Sequence, residues 1–436
     1  MAFIKSRFTV LWMVGLVFIL IYVYTSWQAH HPLPVWQDGQ DSNWSCNSWV
    51  HPLPVWQDGQ DSNWSRNSWV RVNSDTQVFS AYFEERKTRY HFGKAVVIFG
   101  IQHISDTSTF YCLIDLGHQK SCLRRPVTKY LINTITSSIF FLEYCYVCQT
   151  SSEECPLRVA LSMNSNCTHS SPWVPITYSK HDGDMKTFGV CIQTPVFAVQ
   201  NPQSVVEAIE ILRLLGAEHF TLYIHSVTAW VMDVLETYAE EGLVEIVNWR
   251  IGHPFNESVY YYGENSCMNE CIYRNMYKVK YLVFVDLDEV IVPQKASNWS
   301  EMMKGLDQPT RGSFEFRNVF YYKPSKATEY ISCDHSQHKF EIPRVISYTS
   351  RSNVVEDYEY RSKIIIKPPV TVRIGVHFPF EHLSGYSVYH VPSEVGLVHH
   401  YRFPALYENR AKSPDHRMND FHSPLLTAIK QKFCLH

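Results

Sequence analysis

The sequence lacks any strong imbalance of charge: 39 Lys and Arg stand against 42 Asp and Glu in 436 residues, a net −3 with His neutral. That near balance leaves no basic face for nucleic acid and no polybasic patch for an anionic membrane surface. Charge is absent altogether from Phe8 to Trp27, FTVLWMVGLVFILIYVYTSW. As a helix this run spans about 30 Å, the thickness of a bilayer core. Lys5 and Arg7 on the N-terminal flank predict a cytoplasmic N-terminus for residues 1–7. No small-x-small cleavage site follows Trp27, so the run reads as an uncleaved signal-anchor, not a cleaved signal peptide. A second C-x2-C pair is missing too. Cys145 and Cys148 have that spacing, but no partner pair follows at finger distance, so disulfides suit these cysteines better than zinc.

What lies beyond the anchor is luminal in composition. All 12 cysteines and the N-x-S/T sequons at Asn43, Asn63, Asn166, Asn256 and Asn298 follow it. Both features suit the oxidising secretory pathway and a single-pass type II membrane protein. Residues 31–50 recur as 51–70, with Cys46 replaced by Arg66. Two copies fall short of the three that a stacked repeat needs. The Pro, Gly, Asn and Ser content makes 28–85 an extended stem. Residues 86–185 alternate short apolar runs with turn residues and carry six cysteines, which predicts a small disulfide-rich β module. The remaining five cysteines are odd in number, so Cys46 is the spare partner or the bridge of a disulfide-linked homodimer.

From residue 186 the pattern changes. FGVCIQTPVFA, HFTLYIH and LVEIVNW read as strands. Between them NPQSVVEAIEILRLLGA and VTAWVMDVLETYAEEG read as amphipathic helices, and MNECIYRNMYKVK as a third helix. The alternation predicts an α/β domain over 186–436 with a parallel, doubly wound sheet, binding its ligand beyond the carboxyl ends of the strands. YLVFVDLDEVIVP (281–293) supplies such an end. A carboxylate inside an apolar run costs several kcal/mol unless something cationic meets it. In extended chain Asp286 and Asp288 point the same way, with Leu287 turned back. Two acids so close call for a divalent cation, and hard oxygen ligands suit Mn2+ or Mg2+ with a diphosphate. The arrangement is similar to the nucleotide-sugar site of GT-A (Rossmann-like) glycosyltransferases.

NECIYRN, YLVFVDLDEVIVP, RSKIIIKPP, GVHFP and EVGLVHHYR together resemble glycosyltransferase family 92 over about 189–410. That resemblance implies inversion at the anomeric carbon, Mn2+ dependence and a Golgi membrane location. It also implies transfer from a UDP-sugar, with UDP-galactose and β1,4 linkage to galactose-terminated N-glycans of glycoproteins as the expectation. Asp288 is then the principal metal ligand and Asp286 meets the metal or the ribose. His399, His400 and His377 are candidates for a further ligand, and Lys363 and Arg402 for charge partners of the diphosphate. The base that accepts the acceptor's proton is expected among Glu356 and Asp357, with Glu381 in reserve. Two rivals remain. DLDEV also fits the nucleophile loop of haloacid-dehalogenase-type phosphatases, with Asp286 phosphorylated. A luminal glycan-binding protein could keep the fold without turnover.

Overall fold

A computed structural model describes residues 68–91, 93–117, 122–132, 140–151, 155–164, 173–179, 184–324, 329–333, 339–402 and 410–434. The apolar run 8–27, Cys46 and all but the last residues of the duplication lie outside them. Among the described residues no helix is long and apolar enough to cross a membrane.

The expected alternation of strands and helices is present in the second half. Strands Lys186–Ile192, His219–Ile224, Val244–Asn248 and Val279–Val285 alternate with helices Gln203–Leu215, Ala229–Glu240 and Glu264–Asn275. Gly216 ends the first helix at φ 118°, a left-handed conformation that lets its N–H return to the Arg213 and Leu212 carbonyls. The four strands pair in parallel. Three more continue the sheet: Lys363–Ile366, Arg311–Phe316 and Ser387–Val391. The four alternating strands are parallel as expected, and the added strands make the sheet mixed, because Lys363–Ile366 runs antiparallel to both its neighbours.

The third helix starts at Glu264, four residues before the expected Met268. Glu264, Asn265 and Ser266 have the polarity of a loop. All three are buried, however, so packing and not solvent surrounds them.

Side-chain alternation divides the sheet between two cores. Phe188, Val190, Ile192, Tyr281, Val283 and Val285 face one way, onto the two helices between residues 203 and 240. Cys191, Leu282, Phe284 and Ile364 face the other, onto Met268 and Ile272. With both faces covered, the strands need no polar side, and YLVFV is apolar throughout for that reason.

That second core is completed by a nine-stranded N-terminal sheet, which contributes Phe79, Tyr82, Val97 and Phe99. Its strand Thr76–Glu84 falls in the segment expected to be stem. The strand is buried almost throughout, so packed structure begins well before residue 86. Buried Arg86 pairs with Glu84 and donates to the carbonyls of Pro368 (3.1 Å) and Thr371 (2.8 Å), tying this sheet to the α/β half. Tyr82 and Tyr223 both donate to the buried Glu270 carboxylate from opposite sides of the junction.

Cys112 and Cys148 form a disulfide, while Cys145 stays a buried thiol. The C-x2-C pair is therefore split between two roles and is no zinc ligand pair. Cys191, Cys267 and Cys271 are also buried thiols. The odd-number argument for Cys46 fails with them, since three of the five cysteines need no partner.

Candidate active site

Strands Lys186–Ile192 and Val279–Val285 are neighbours at the centre of the sheet and end side by side at Gln193, Thr194 and Asp286. The chain does not continue extended through DLDE. The Glu289 N–H bonds back to the Asp286 carbonyl at 3.1 Å, closing a turn that leads into strand Glu289–Pro293. The turn separates the acids that a straight strand would have aligned. Asp286 points to Lys363 and Thr194, whereas Asp288 faces His400.

Lys363 is fully buried, and its three ammonium protons have three acceptors. They are Asp286 Oδ2 at 2.8 Å, Glu289 Oε2 at 2.9 Å and Gln193 Oε1 at 3.1 Å. Nothing remains for a diphosphate, so Lys363 is a structural counter-ion and not the expected phosphate partner. Burial raises the Asp286 carboxyl, but Lys363 and the Thr194 hydroxyl outweigh it and hold the group far below the carboxylate range. Glu289, given no role by the sequence, is the second acid on this lysine and also accepts the Asp286 N–H at 3.0 Å.

His400 comes from strand Gly396–His400, paired antiparallel with Glu289–Pro293 so that His400 lies opposite Glu289. Its Nδ1 is 3.3 Å from Glu289 and its Nε2 is 3.8 Å from Asp288. Both ring nitrogens are buried without a hydrogen bond. Burial lowers the imidazole, yet Glu289 and Asp288 together carry it above its ordinary value. Burial likewise raises Asp288, and His400 pulls it below the usual range.

Adjacent residues on a strand face opposite ways. His399 therefore turns into the core, with its ring nitrogens near Tyr321 (3.2 Å) and Tyr401 (3.3 Å), and burial pushes its pKa to about 3. His399 is not a site ligand. His377 bonds to the Ser362 carbonyl at 3.3 Å and is held near 4 by burial and by Lys363. It borders the acid group without facing Asp288.

The expected bases are placed elsewhere. Glu356 is buried against Arg410, and the Asp357 side chain is 97% exposed, 3.4 Å from Arg317. Glu381 pairs with Arg89 (3.0 Å) and Tyr90 (3.1 Å) of the N-terminal sheet region. Arg402 is exposed.

Four residues that no motif announced belong to the site. Arg344 and Glu207 line a pocket beside Asp288 with Leu287 and Tyr401. Thr194 Oγ lies 2.7 Å from Asp286 Oδ1 and 2.9 Å from Glu264 Oε1. One hydroxyl proton cannot serve two carboxylates. The contacts are satisfied together when Glu264 is protonated and donates to Thr194, which donates to Asp286. Burial, then the Asp286 charge, push Glu264 up to about 7 in keeping with this. The one signal in the sequence was position, since Gln193 and Thr194 directly follow a strand at the binding edge of the sheet.

Behind Glu264 lies a second raised acid, Glu143 of the N-terminal sheet, which burial pushes up to about 8. Both carboxyls hold protons more tightly in the folded chain than unfolded, where Glu titrates near 4.3. The stability they confer is complete below that value and is lost as pH rises through about 7 and 8. The thermal midpoint is expected to fall between about pH 4.5 and 8, and Glu143→Gln should flatten the fall. Calorimetric scans across that range check it, and a level wild-type profile would contradict the assignment.

Among the described residues no three His, Cys, Asp or Glu side chains are grouped to enclose a metal. Residues 186–434 match the family described as Glycosyltransferase family 92, more than half of the chain. The chain belongs to glycosyltransferase family 92.

Relatives of this family 92 chain include a family 92 glycosyltransferase of Caenorhabditis elegans, 24% identical over 49% of this chain and 42% of that one. A β-1,4-galactosyltransferase of the same worm is 24% identical over 47% of each. A galactan β-1,4-galactosyltransferase of Arabidopsis thaliana is 29% identical over 26% of this chain and 22% of its own. The chain thus matches less than half the length of these relatives. The family is described as one of glycosyltransferases, and none of these three relatives is named as a phosphatase.

Proposed function

We propose that this family 92 protein is a metal-dependent, inverting galactosyltransferase that uses UDP-galactose and extends galactose-terminated N-glycans in β1,4 linkage. The observation that carries the metal is His400. A buried imidazole whose Nε2 makes no hydrogen bond and faces the Asp288 carboxylate across 3.8 Å suits, with that carboxylate, two ligands of one cation. Mn2+ and Mg2+ are commonly held by one or two protein groups together with substrate phosphates, so a third side chain is not required. Asp288 and His400 would hold the ion, which when bound supplies Lewis-acid stabilisation of the departing UDP.

The chain's own residues do the rest. Lys363 and Thr194 fix the Asp286 carboxylate at the strand end. Glu289 holds the DLDE turn through the Asp286 N–H and braces His400. Arg344, beside Asp288, places a cation where diphosphate charge would lie. The His400 proton must leave before a cation can bind, so metal affinity should rise with pH.

The galactose donor and the β1,4 linkage rest on the printed activities of distant relatives. The GT-A fold is proposed from the parallel half of the sheet and the acids at its edge. The anchor at 8–27 and the luminal stem are proposed from residues outside those described, and the Golgi location from the anchor together with the family resemblance.

The test uses the full-length chain in detergent with a panel of UDP-sugars and galactose-terminated glycans, in Mn2+ or in EDTA. Transfer from UDP-galactose that stops with EDTA, giving a β1,4-linked product, is expected. Consumption of no donor in Mn2+ would overturn the reading, and glycan binding without turnover would favour a lectin.

A further inference from the structure

Helix Gln203–Leu215 lays its apolar residues on the central sheet, yet Glu207 on the same helix is buried too, at 4% exposure. A buried carboxylate needs partners. Those of Glu207 lie far along the chain. Its Oε1 accepts the Val345 N–H at 3.0 Å, and its Oε2 lies 3.8 Å from Arg344 Nε. One turn earlier, on the same face of the helix, the Gln203 carboxamide meets the Glu341 backbone twice. It accepts the Glu341 N–H at 2.9 Å and donates to the Glu341 carbonyl at 2.6 Å.

The segment gripped in this way has little backbone support of its own. Among the described residues, strand Lys339–Glu341 pairs only with Tyr330–Ser332, in a two-stranded ribbon outside the seven-stranded sheet. Such a ribbon is marginal by itself. The single helical turn Arg344–Ser347 that follows begins at Pro343, whose side chain accepts no N–H. Phe340 and Val345 anchor the apolar side of the segment in the first core, and Gln203 and Glu207 fix its backbone. What this grip delivers is Arg344, which lines the same pocket as Asp288, Leu287 and Tyr401. Unlike Lys363, the Arg344 guanidinium makes no hydrogen bond among the described residues, and its side chain is 30% exposed. Glu207 is near enough to hold the cation in place and too far to consume its donors. A planar fork of donors kept in that state suits a diphosphate.

We propose that Glu207 is a positioning residue of the donor site, holding the 341–345 backbone on helix Gln203–Leu215 so that Arg344 meets the diphosphate beside Asp288. The proposal rests on the donor site proposed above. Glu207 acts through Arg344, and Gln203 shares the grip on the backbone. Gln at position 207 would keep an oxygen for the Val345 N–H, so it is the conservative substitute.

The experiment compares the full-length chain with Glu207→Ala, Glu207→Gln, Arg344→Ala, the double variant Glu207→Ala with Arg344→Ala, and Gln203→Ala. Calorimetry gives the UDP dissociation constant in Mn2+, initial rates give the KM for UDP-galactose and for the acceptor, and a melting curve reports the fold. Arg344→Ala and Glu207→Ala are each expected to raise the UDP dissociation constant and the donor KM about tenfold and to leave the acceptor KM unchanged. The double variant should be no worse than Arg344→Ala alone, because Glu207 has no other route to the donor. Glu207→Gln should stay within about threefold of wild type, and Gln203→Ala should raise the same two constants about threefold. Unchanged UDP affinity in Arg344→Ala or in Glu207→Ala, even with earlier melting, would overturn the proposal, and so would losses that add in the double variant. Equal damage from Glu207→Gln and Glu207→Ala would overturn the backbone bond as the means. Should Glu207→Ala fail to fold, Gln203→Ala decides, since that side chain is only part-buried, and unchanged UDP affinity there would overturn the grip. If wild type binds UDP with Mn2+ but transfers no sugar, the functional reading fails and the UDP affinities of the variants still decide on Glu207. If wild type binds no UDP, both fall.

Discussion

Asp288→Asn is expected to lower sugar transfer at least a thousandfold while leaving the fold in place. The change keeps the shape of the side chain and removes the one carboxylate that faces the His400 Nε2. If the cation sits there, Asn offers a neutral oxygen in place of an anionic one. The loss then falls on Lewis-acid stabilisation worth several kcal/mol, at about 1.4 kcal/mol for each factor of ten.

The fold should survive with a modest loss of stability, because the Tyr401 N–H bond to the Asp288 backbone carbonyl at 2.8 Å is retained while the charge interaction with His400 is lost. Asp357→Asn, at a side chain that is 97% exposed, is the matched control and should stay within about twofold of wild type. Initial rates with UDP-galactose in Mn2+ and a melting curve for each variant decide the matter. An Asp288→Asn enzyme within tenfold of wild type would remove Asp288 from the metal site. A dead Asp357→Asn would return that residue to candidacy as the base.

Lys363→Met should be the most damaging single change to stability in the α/β half. It removes the cation shared by Asp286 and Glu289 and leaves two acids facing each other in a buried site. Breaking a buried ion pair by deleting one partner costs about 3–5 kcal/mol. For a domain of this size each kcal/mol shifts the midpoint by about 2–4 °C, so a fall of about 10 °C is expected at pH 7.

The pH dependence fixes the cause. In wild type the Asp286 carboxyl is depressed, so its stabilisation is present above the unfolded value near 3.9 and is lost as pH falls through the folded value. In Lys363→Met the lysine's contribution to that depression is gone and the acids favour their protonated forms. The gap between the two proteins should therefore narrow toward pH 4. Scanning calorimetry at pH 7 and pH 4 measures it, and a gap unchanged with pH would point to lost packing and not to stranded charge. Arg is no substitute, since its planar fork does not reproduce three donors on one small head.

Much of the chain's organisation was written in local pattern. The β-α-β order from residue 186 could be read because strands buried on both faces are apolar throughout, and because Gly216 and Gly242 mark helix ends. The D-x-D at a strand end could be read because an acid within YLVFVDLDE has no explanation in packing alone. The segments resembling family 92 identified the family before any geometry was known.

The sequence did not carry the pairings made across distance. Strand alternation chooses His400 over its neighbour His399, but only the register against Glu289 reveals which of the two faces the site. Lys363 looks from sequence like a free phosphate ligand, and three acceptors from Gln193, Asp286 and Glu289 consume it. Glu356, Asp357 and Glu381 are plausible bases in one dimension and are drawn to Arg410, Arg317 and Arg89 in three. Glu143 lies 121 residues from Glu264, on a strand of the N-terminal sheet, so no window of sequence joins them. Sequence alone determined the family, the alternating half of the fold and the acids at its edge, because each is set by the chemistry of neighbouring residues. Only tertiary structure decided which charges are already neutralised and which still face a ligand, because that depends on partners brought together by folding.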